Sequence, residues 1–217
     1  MDSELVDQTT KLLCLIRDDV FPQGLPIGKQ EFYISAVSSL LTVKSVTVDR
    51  SICEFNDKFL QLIPYVTLFD KTTNDFFIYY KDGNPVLYSI GIGGHIVESL
   101  EELNIATSIS LEVANILQEQ VGLDYNESTV NLLEQKILQD NCCGIYYTGT
   151  DISRRHLFIS MFLGINKSDI KHVTALTRKY GQWLSAKEII NRIDQKLITL
   201  DVWSNMVMKV IEDVYDN

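Results

Sequence analysis

The chain has 217 residues, of which 46% are hydrophobic and 22% charged, with a formal net charge of −10. That is enough apolar material for a full core, in one large domain or one domain with an extension, and it excludes bulk disorder. A basic nucleic-acid footprint is not expected, and the acidic residues are scattered rather than gathered in runs, so the charge reads as a solubility feature.

The four cysteines are Cys14, Cys53, Cys142 and Cys143. Cys142 and Cys143 are adjacent, which does not allow the chelation a CxxC pair gives, and no His–Cys spacing suggests zinc. All four are expected to be reduced, mostly buried thiols of a cytoplasmic protein. No signal-peptide pattern is seen at the start, and no apolar stretch is long enough to span a bilayer.

Residues 4–20 place Leu5, Thr9, Leu12, Leu13, Ile16 and Val20 at helical spacing, which predicts an N-terminal amphipathic helix. It belongs to an expected extension over residues 1–28, packed on a main domain over 29–217, with a homodimer contact as the alternative use of its apolar face. Phe21-Pro22 ends it. Residues 32–41 read as a short helix and 41–48 as a strand. Residues 60–69 and 75–81 predict a strand pair around the turn sequence DKTTN, with Pro64 expected at a strand start or edge because it lacks an N–H. A strand over 85–92 follows, ending in a glycine loop. Helices are predicted over 108–121, 129–138, 186–193 and 199–214, and strands over 141–147 and 156–165. Early strands, a helix, further strands and terminal helices predict an α/β sandwich with a mixed sheet between helical layers.

The segment from Tyr88 to Leu123 carries the chemical signal. An apolar strand enters Gly93-Gly94, a polar acidic span follows, and a helix closes on Gly122. Strand, glycine loop and helix in that order suit the placing of backbone N–H groups and carboxylates beside a phosphate. This segment resembles the signature of the Nudix hydrolases. Gly93-Gly94-His95 matches the glycine opening of that box, and Asn115 to Leu123 matches its helical end in spacing. Over residues 20 to 213 the chain is similar to a group within the superfamily described as predicted phosphoesterases. The segments that carry this are Gln61-Leu62-Ile63-Pro64-Tyr65, Ser89 to His95, a strand entered through His156, and Trp203-Ser204.

The resemblance implies a Nudix-like α/β/α sandwich. It also implies cleavage of a nucleoside diphosphate linked to another group, with Mg²⁺ or Mn²⁺ held by glutamates. Glutamates at i and i+4 share one helix face, but here those positions are Ile116 and Gln120. Asn115 replaces the arginine that braces a glutamate, and Glu119 alone survives of the helical carboxylates. Glu119 is therefore the candidate catalytic residue, and Glu119, Glu112 and Glu98 are the candidate metal ligands. Glu112 lies seven residues before Glu119, on nearly the same face of a regular helix. The bland reading for these acids is a solvated helix face. Gly93, Gly94, His95, Arg154, Arg155 and His156 are the candidate ligand-binding residues, since paired guanidiniums bind phosphate bidentately. An exposed charge pair is the plain alternative for the arginines.

Three functions stay open. The first is a Nudix-fold protein with a degenerate box that binds a nucleotide-like small molecule with hydrolysis lost or weak. The second is an active pyrophosphohydrolase with a non-standard carboxylate set. The third is a protein-interaction module.

Overall fold

The computed structural model describes residues 10–22, 31–34, 37–81, 86–97, 104–123, 127–138, 144–148, 153–169 and 181–215. Among these the chain is mixed α/β. Its strands are β1 (Lys11–Ile16), β2 (Glu31–Ile34), β3 (Ser45–Asp49), β4 (Phe59–Asp70), β5 (Phe76–Tyr80), β6 (Leu87–Ser89), β7 (Gly91–Gly93), β8 (Gly144–Thr148), β9 (His156–Ile165), β10 (Gly181–Leu184) and β11 (Thr199–Leu200). Its helices are α1 (Arg17–Val20), α2 (Arg50–Cys53), α3 (Ile105–Ile116), α4 (Glu127–Leu138), α5 (Ala186–Asp194) and α6 (Val202–Tyr215). No helix among the described residues is long and apolar enough to cross a membrane. The chain divides into two compact units, one of Met1–Pro64, Gly94–Glu112 and Leu133–Ile159, the other of Tyr65–Gly93, Val113–Leu132 and Ser160–Asn217.

In the first unit β1 is antiparallel to β3, from Lys11↔Asp49 to Leu15↔Ser45, and to β4, from Cys14↔Gln61 to Ile16↔Phe59. Leu13 N–H also donates to Ile96 O at 2.9 Å. The predicted N-terminal helix is thus corrected over its described part. KLLCLI is a nearly continuous apolar run, which periodicity alone does not assign. Partners along both edges, and buried Leu12, Cys14 and Leu15, select the strand. Only the four-residue α1 remains helical, and residues 1–9 lie outside the described residues. Leu12, Cys14, Val48 and Cys53 form a buried cluster, with Val46 and Phe59 packed against it. Cys14 and Cys53 are free thiols, as expected; Cys142 and Cys143 lie outside the described residues. The predicted helix over 32–41 is also corrected. Its start is β2, antiparallel to β8 from Glu31↔Thr148 to Ile34↔Ile145, and its end is a 3₁₀ helix over Val37–Thr42.

In the second unit β4 and β5 form the predicted hairpin, closing at Phe69↔Phe76. Asn74 takes a φ of 58°, the left-handed conformation that asparagine tolerates best after glycine. Asp70 and Asp75 flank the turn, and Lys167 Nζ reaches Asp75 at 2.8 Å and Asp70 at 3.5 Å. β5 also pairs with β6 and β10, and β6 lies parallel to β11, which makes the pairing mixed. The predicted strand over 85–92 is two strands. β6 follows β5; then the chain bends at Ile90, and β7 pairs with β4 from Tyr65↔Gly93 to Thr67↔Gly91. The predicted helix over 199–214 begins instead with β11, and α6 starts two residues later.

Pro64 lies inside β4, not at its start. Its carbonyl accepts Gly94 N–H at 3.3 Å, and its missing N–H falls just outside the Tyr65↔Gly93 to Thr67↔Gly91 register, so it removes no bond from that register. β4 is buried along almost its whole length, which matches its apolar run.

Candidate functional site

The glycine strand is held by hydroxyls. Tyr65 OH lies 2.8 Å from Ser89 Oγ and 2.8 Å from Ser204 Oγ, and it accepts Gly91 N–H at 3.0 Å. Ser204 Oγ accepts Ile90 N–H at 2.9 Å, while Ser89 Oγ and Tyr79 OH donate to Gly91 O at 2.9 and 3.1 Å. Two backbone N–H groups at the bend are therefore satisfied by side chains where no ladder serves them. A Cβ at Gly91 would overlap the Tyr65 ring, so only glycine fits there. Trp203 packs edge-on to Tyr65, with ring centroids 5.9 Å apart. Three of the sequence segments singled out for their resemblance thus meet at one buried point: Tyr65 of the first, Ser89 and Gly91 of the second, Trp203 and Ser204 of the last. Burial pushes the Tyr65 phenol well up, so it stays a neutral donor and acceptor.

After the bend, Gly93 ends β7 in the second unit, while Gly94 and His95 belong to the first. His95 and His156 pack edge to face with ring centroids 5.6 Å apart. His95 Nε2 is buried, and no hydrogen-bond partner reaches it among the described residues. Burial first, then the charges of His156 and Arg50 against that of Glu54, lower the His95 pKa from 6.5 to about 4. At neutral pH His95 is an uncharged imidazole and does not attract an anion by charge.

Arg154 and Arg155 form the 3₁₀ turn Ser153–Arg155 directly ahead of β9. Both guanidiniums meet the Asp57 carboxylate, Arg154 Nε at 3.0 Å and Arg155 Nε at 2.7 Å. The structure thus sets the two candidate histidines beside each other and the two candidate arginines on one carboxylate. Asp57 was missed in the sequence. It stands in the polar stretch CEFNDKF with no motif around it, 98 residues from Arg155.

The predicted carboxylates are placed differently. Glu119 is exposed, Glu112 is half-buried, and Glu98 lies outside the described residues. Asn104 caps α3, its Oδ1 accepting Thr107 N–H at 2.9 Å. Beyond Ile116 the helix is wound as a π turn over Leu117–Val121. Its wider winding breaks the regular 3.6-residue repeat on which a shared Glu112/Glu119 face was projected. Gly122 closes the helix in the left-handed conformation, φ 72° and ψ 27°, its N–H donating to Gln118 O at 3.2 Å. Ile116, where the resemblance calls for a glutamate, is 2% exposed. No group of three His, Cys, Asp or Glu side chains able to hold a metal ion occurs among the described residues.

No family model and no curated protein matches the chain. A solved structure does: "Crystal structure of Tm1382, a putative Nudix hydrolase" is similar over 94% of this chain and 99% of its own, with a TM-score of 0.58 and 16% sequence identity. The fold of this chain is therefore Nudix-like. At that identity the likeness concerns the fold and not the chemistry.

Proposed function

We propose that the chain is a Nudix-fold protein that binds a nucleotide or a nucleoside-diphosphate-linked ligand and has lost most or all metal-dependent hydrolysis. One observation carries this reading: Ile116 is buried at 2% exposure where the family's box bears a glutamate. A buried apolar side chain cannot serve a hard divalent cation, which needs charged oxygen ligands. Gln120, one turn on, supplies at most a neutral carbonyl, and Glu119 is exposed. The donor set of this helix does not fit Mg²⁺ or Mn²⁺, so no step is routed through either ion.

What supports retained binding is the preserved frame. Gly91 and Gly93 keep the strand, and the hydroxyl cluster fixes Gly91 within it, which lowers the ordering entropy that binding would cost there. Neutral His95, beside Gly94, carries a buried ring nitrogen with no hydrogen-bond partner among the described residues, so a ligand contact there would be a hydrogen bond rather than a charge contact and would require the ring to become accessible.

A thermal-shift screen of nucleoside diphosphate sugars and dinucleotides, with Mg²⁺ and with chelator, tests the reading. A ligand that raises the melting temperature equally in both conditions is the expected result, because binding to the native state alone raises apparent stability. Stabilisation that appears only with the divalent ion counts against it.

A further inference from the structure

Gln61 opens one of the segments singled out in the sequence, and His95 closes another. Nothing described so far accounts for the buried polar end of either. Gln61 is 1% exposed. Its amide orientation is set by Nε2, which donates to Cys53 O at 3.4 Å, so Oε1 is the atom turned away from that carbonyl. Gln61 Oε1 and His95 Nε2 are both buried, and neither has a hydrogen-bond partner among the described residues. A buried polar atom left unpaired costs its desolvation, and folded proteins satisfy most such atoms.

Strand register puts the two side chains together. Cys14 of β1 stands opposite Gln61 of β4, so both point to one face of the sheet. Along that edge of β1, Leu12 pairs with Val97, and Leu13 N–H donates to Ile96 O. The same register carried on brings His95 level with Cys14 and onto its face. Gly94 N–H, donating to Pro64 O, ties the same loop to β4. Gln61 and His95 are therefore neighbours where the loop enters between β1 and β4, at a spacing that long side chains bridge. Both also face α2: Gln61 donates to the carbonyl of Cys53, its last residue, and the charges of Arg50 and Glu54 act on His95.

The chemistry of the two atoms selects their partner. Gln61 Oε1 only accepts, and the His95 ring, uncharged at neutral pH, donates or accepts from Nε2 according to its tautomer. An anion does not suit an atom that only accepts. A metal ion does not suit the site either, since no group of three ligating side chains occurs among the described residues. Water donates and accepts, fits a buried polar site, and commonly joins polar groups that do not meet directly.

We propose that Gln61 Oε1 and His95 Nε2 hold one internal water between them, and that Gln61 acts through this water as the positioning residue for the His95 ring. The site requires neither a nucleotide nor a metal ion, so it stands or falls apart from the proposed function.

A high-resolution crystal structure of the full chain, with two variants at position 61, tests both halves. In wild type a single density peak is expected about 2.7–3.2 Å from each of the two atoms. A direct Gln61–His95 hydrogen bond, or no peak between the two side chains, overturns the proposal without any variant. Gln61→Met keeps the bulk and removes the acceptor; it should lose the peak, and the His95 ring should leave its edge-to-face contact with His156 at 5.6 Å. Gln61→Glu retains an acceptor oxygen and should keep both the peak and the ring contact. A structural role of bulk alone would be met equally by methionine. An unmoved ring in Gln61→Met, or a ring displaced equally in the two variants, therefore overturns the positioning role. Nuclear Overhauser contacts from water to the His95 ring provide the same test in solution: they are expected in wild type and Gln61→Glu and lost in Gln61→Met, and their absence from wild type contradicts the proposal.

Discussion

Ser204 has one hydroxyl, and three neighbours meet it: Ile90 N–H at 2.9 Å, Tyr65 OH at 2.8 Å and, more weakly, Ser89 Oγ at 3.4 Å. Removing it leaves a buried backbone donor without a partner, which costs the desolvation of that group rather than the small net value of one bond. Ser204→Ala is expected to lower stability by about 1–3 kcal/mol in urea unfolding. Tyr65→Phe should do the same, and the double variant should lose less than the sum because both changes break one network. Gly91→Ala should be worse than either, since its Cβ meets the buried Tyr65 ring and the core has no slack for it. His95 makes a separate prediction. Its folded pKa of about 4 lies below the ordinary 6.5, so between those values the unfolded chain binds a proton that the folded chain does not. The stability this provides is present above pH 6.5 and is lost as pH falls towards 4, by an amount on the order of 3 kcal/mol. Melting temperature measured against pH should show that loss in wild type and a shallower one in His95→Gln.

At the scale of elements, boundaries were legible where a local signal was strong. HLFISMFLGI is an apolar run closed by Asn166 and Lys167, and β9 has the predicted limits of 156–165. DKTTN gave the β4–β5 turn. Ser185, three residues before Glu188, marks the start of α5; Ser185 Oγ accepts Glu188 N–H at 3.2 Å. Ser185→Ala should therefore cost about 1 kcal/mol in chemical denaturation, and Ser185→Asp should restore most of it. Other elements were illegible for physical reasons. KLLCLI suits a helix or a strand until its partners are known. β11 has two residues and no pattern to read, and its place is set by Thr199 N–H donating to Val86 O. The π turn over Leu117–Val121 leaves no trace in an apolar stripe that reads equally well as a regular helix. The split of β6 from β7 depends on hydroxyls from Tyr65 and Ser204, 26 residues before Gly91 and 114 after Ile90.

For the whole molecule, the sequence carried the fold further than the chemistry. The segments resembling the Nudix group are largely structural: tyrosine, serine and glycine side by side in a buried cluster that shapes the glycine strand. Of the candidate site, only the residue types were legible. The histidines and arginines were visible as residue types beside a glycine loop and a strand start, but Asp57 and Arg17 join them only through long-range contacts. Glu119, the candidate carboxylate, is exposed, and Ile116 is packed into the core. On the proposed function the chain is an inert hydrolase frame that still holds a phosphate-bearing ligand. The most direct measurement is phosphate or nucleotide release from a panel of nucleoside diphosphate sugars and dinucleotides with excess Mg²⁺ or Mn²⁺, comparing wild type with Glu119→Gln. The expected result is no difference between the two proteins and no turnover above the uncatalysed rate. Metal-dependent turnover by wild type that Glu119→Gln abolishes would contradict it.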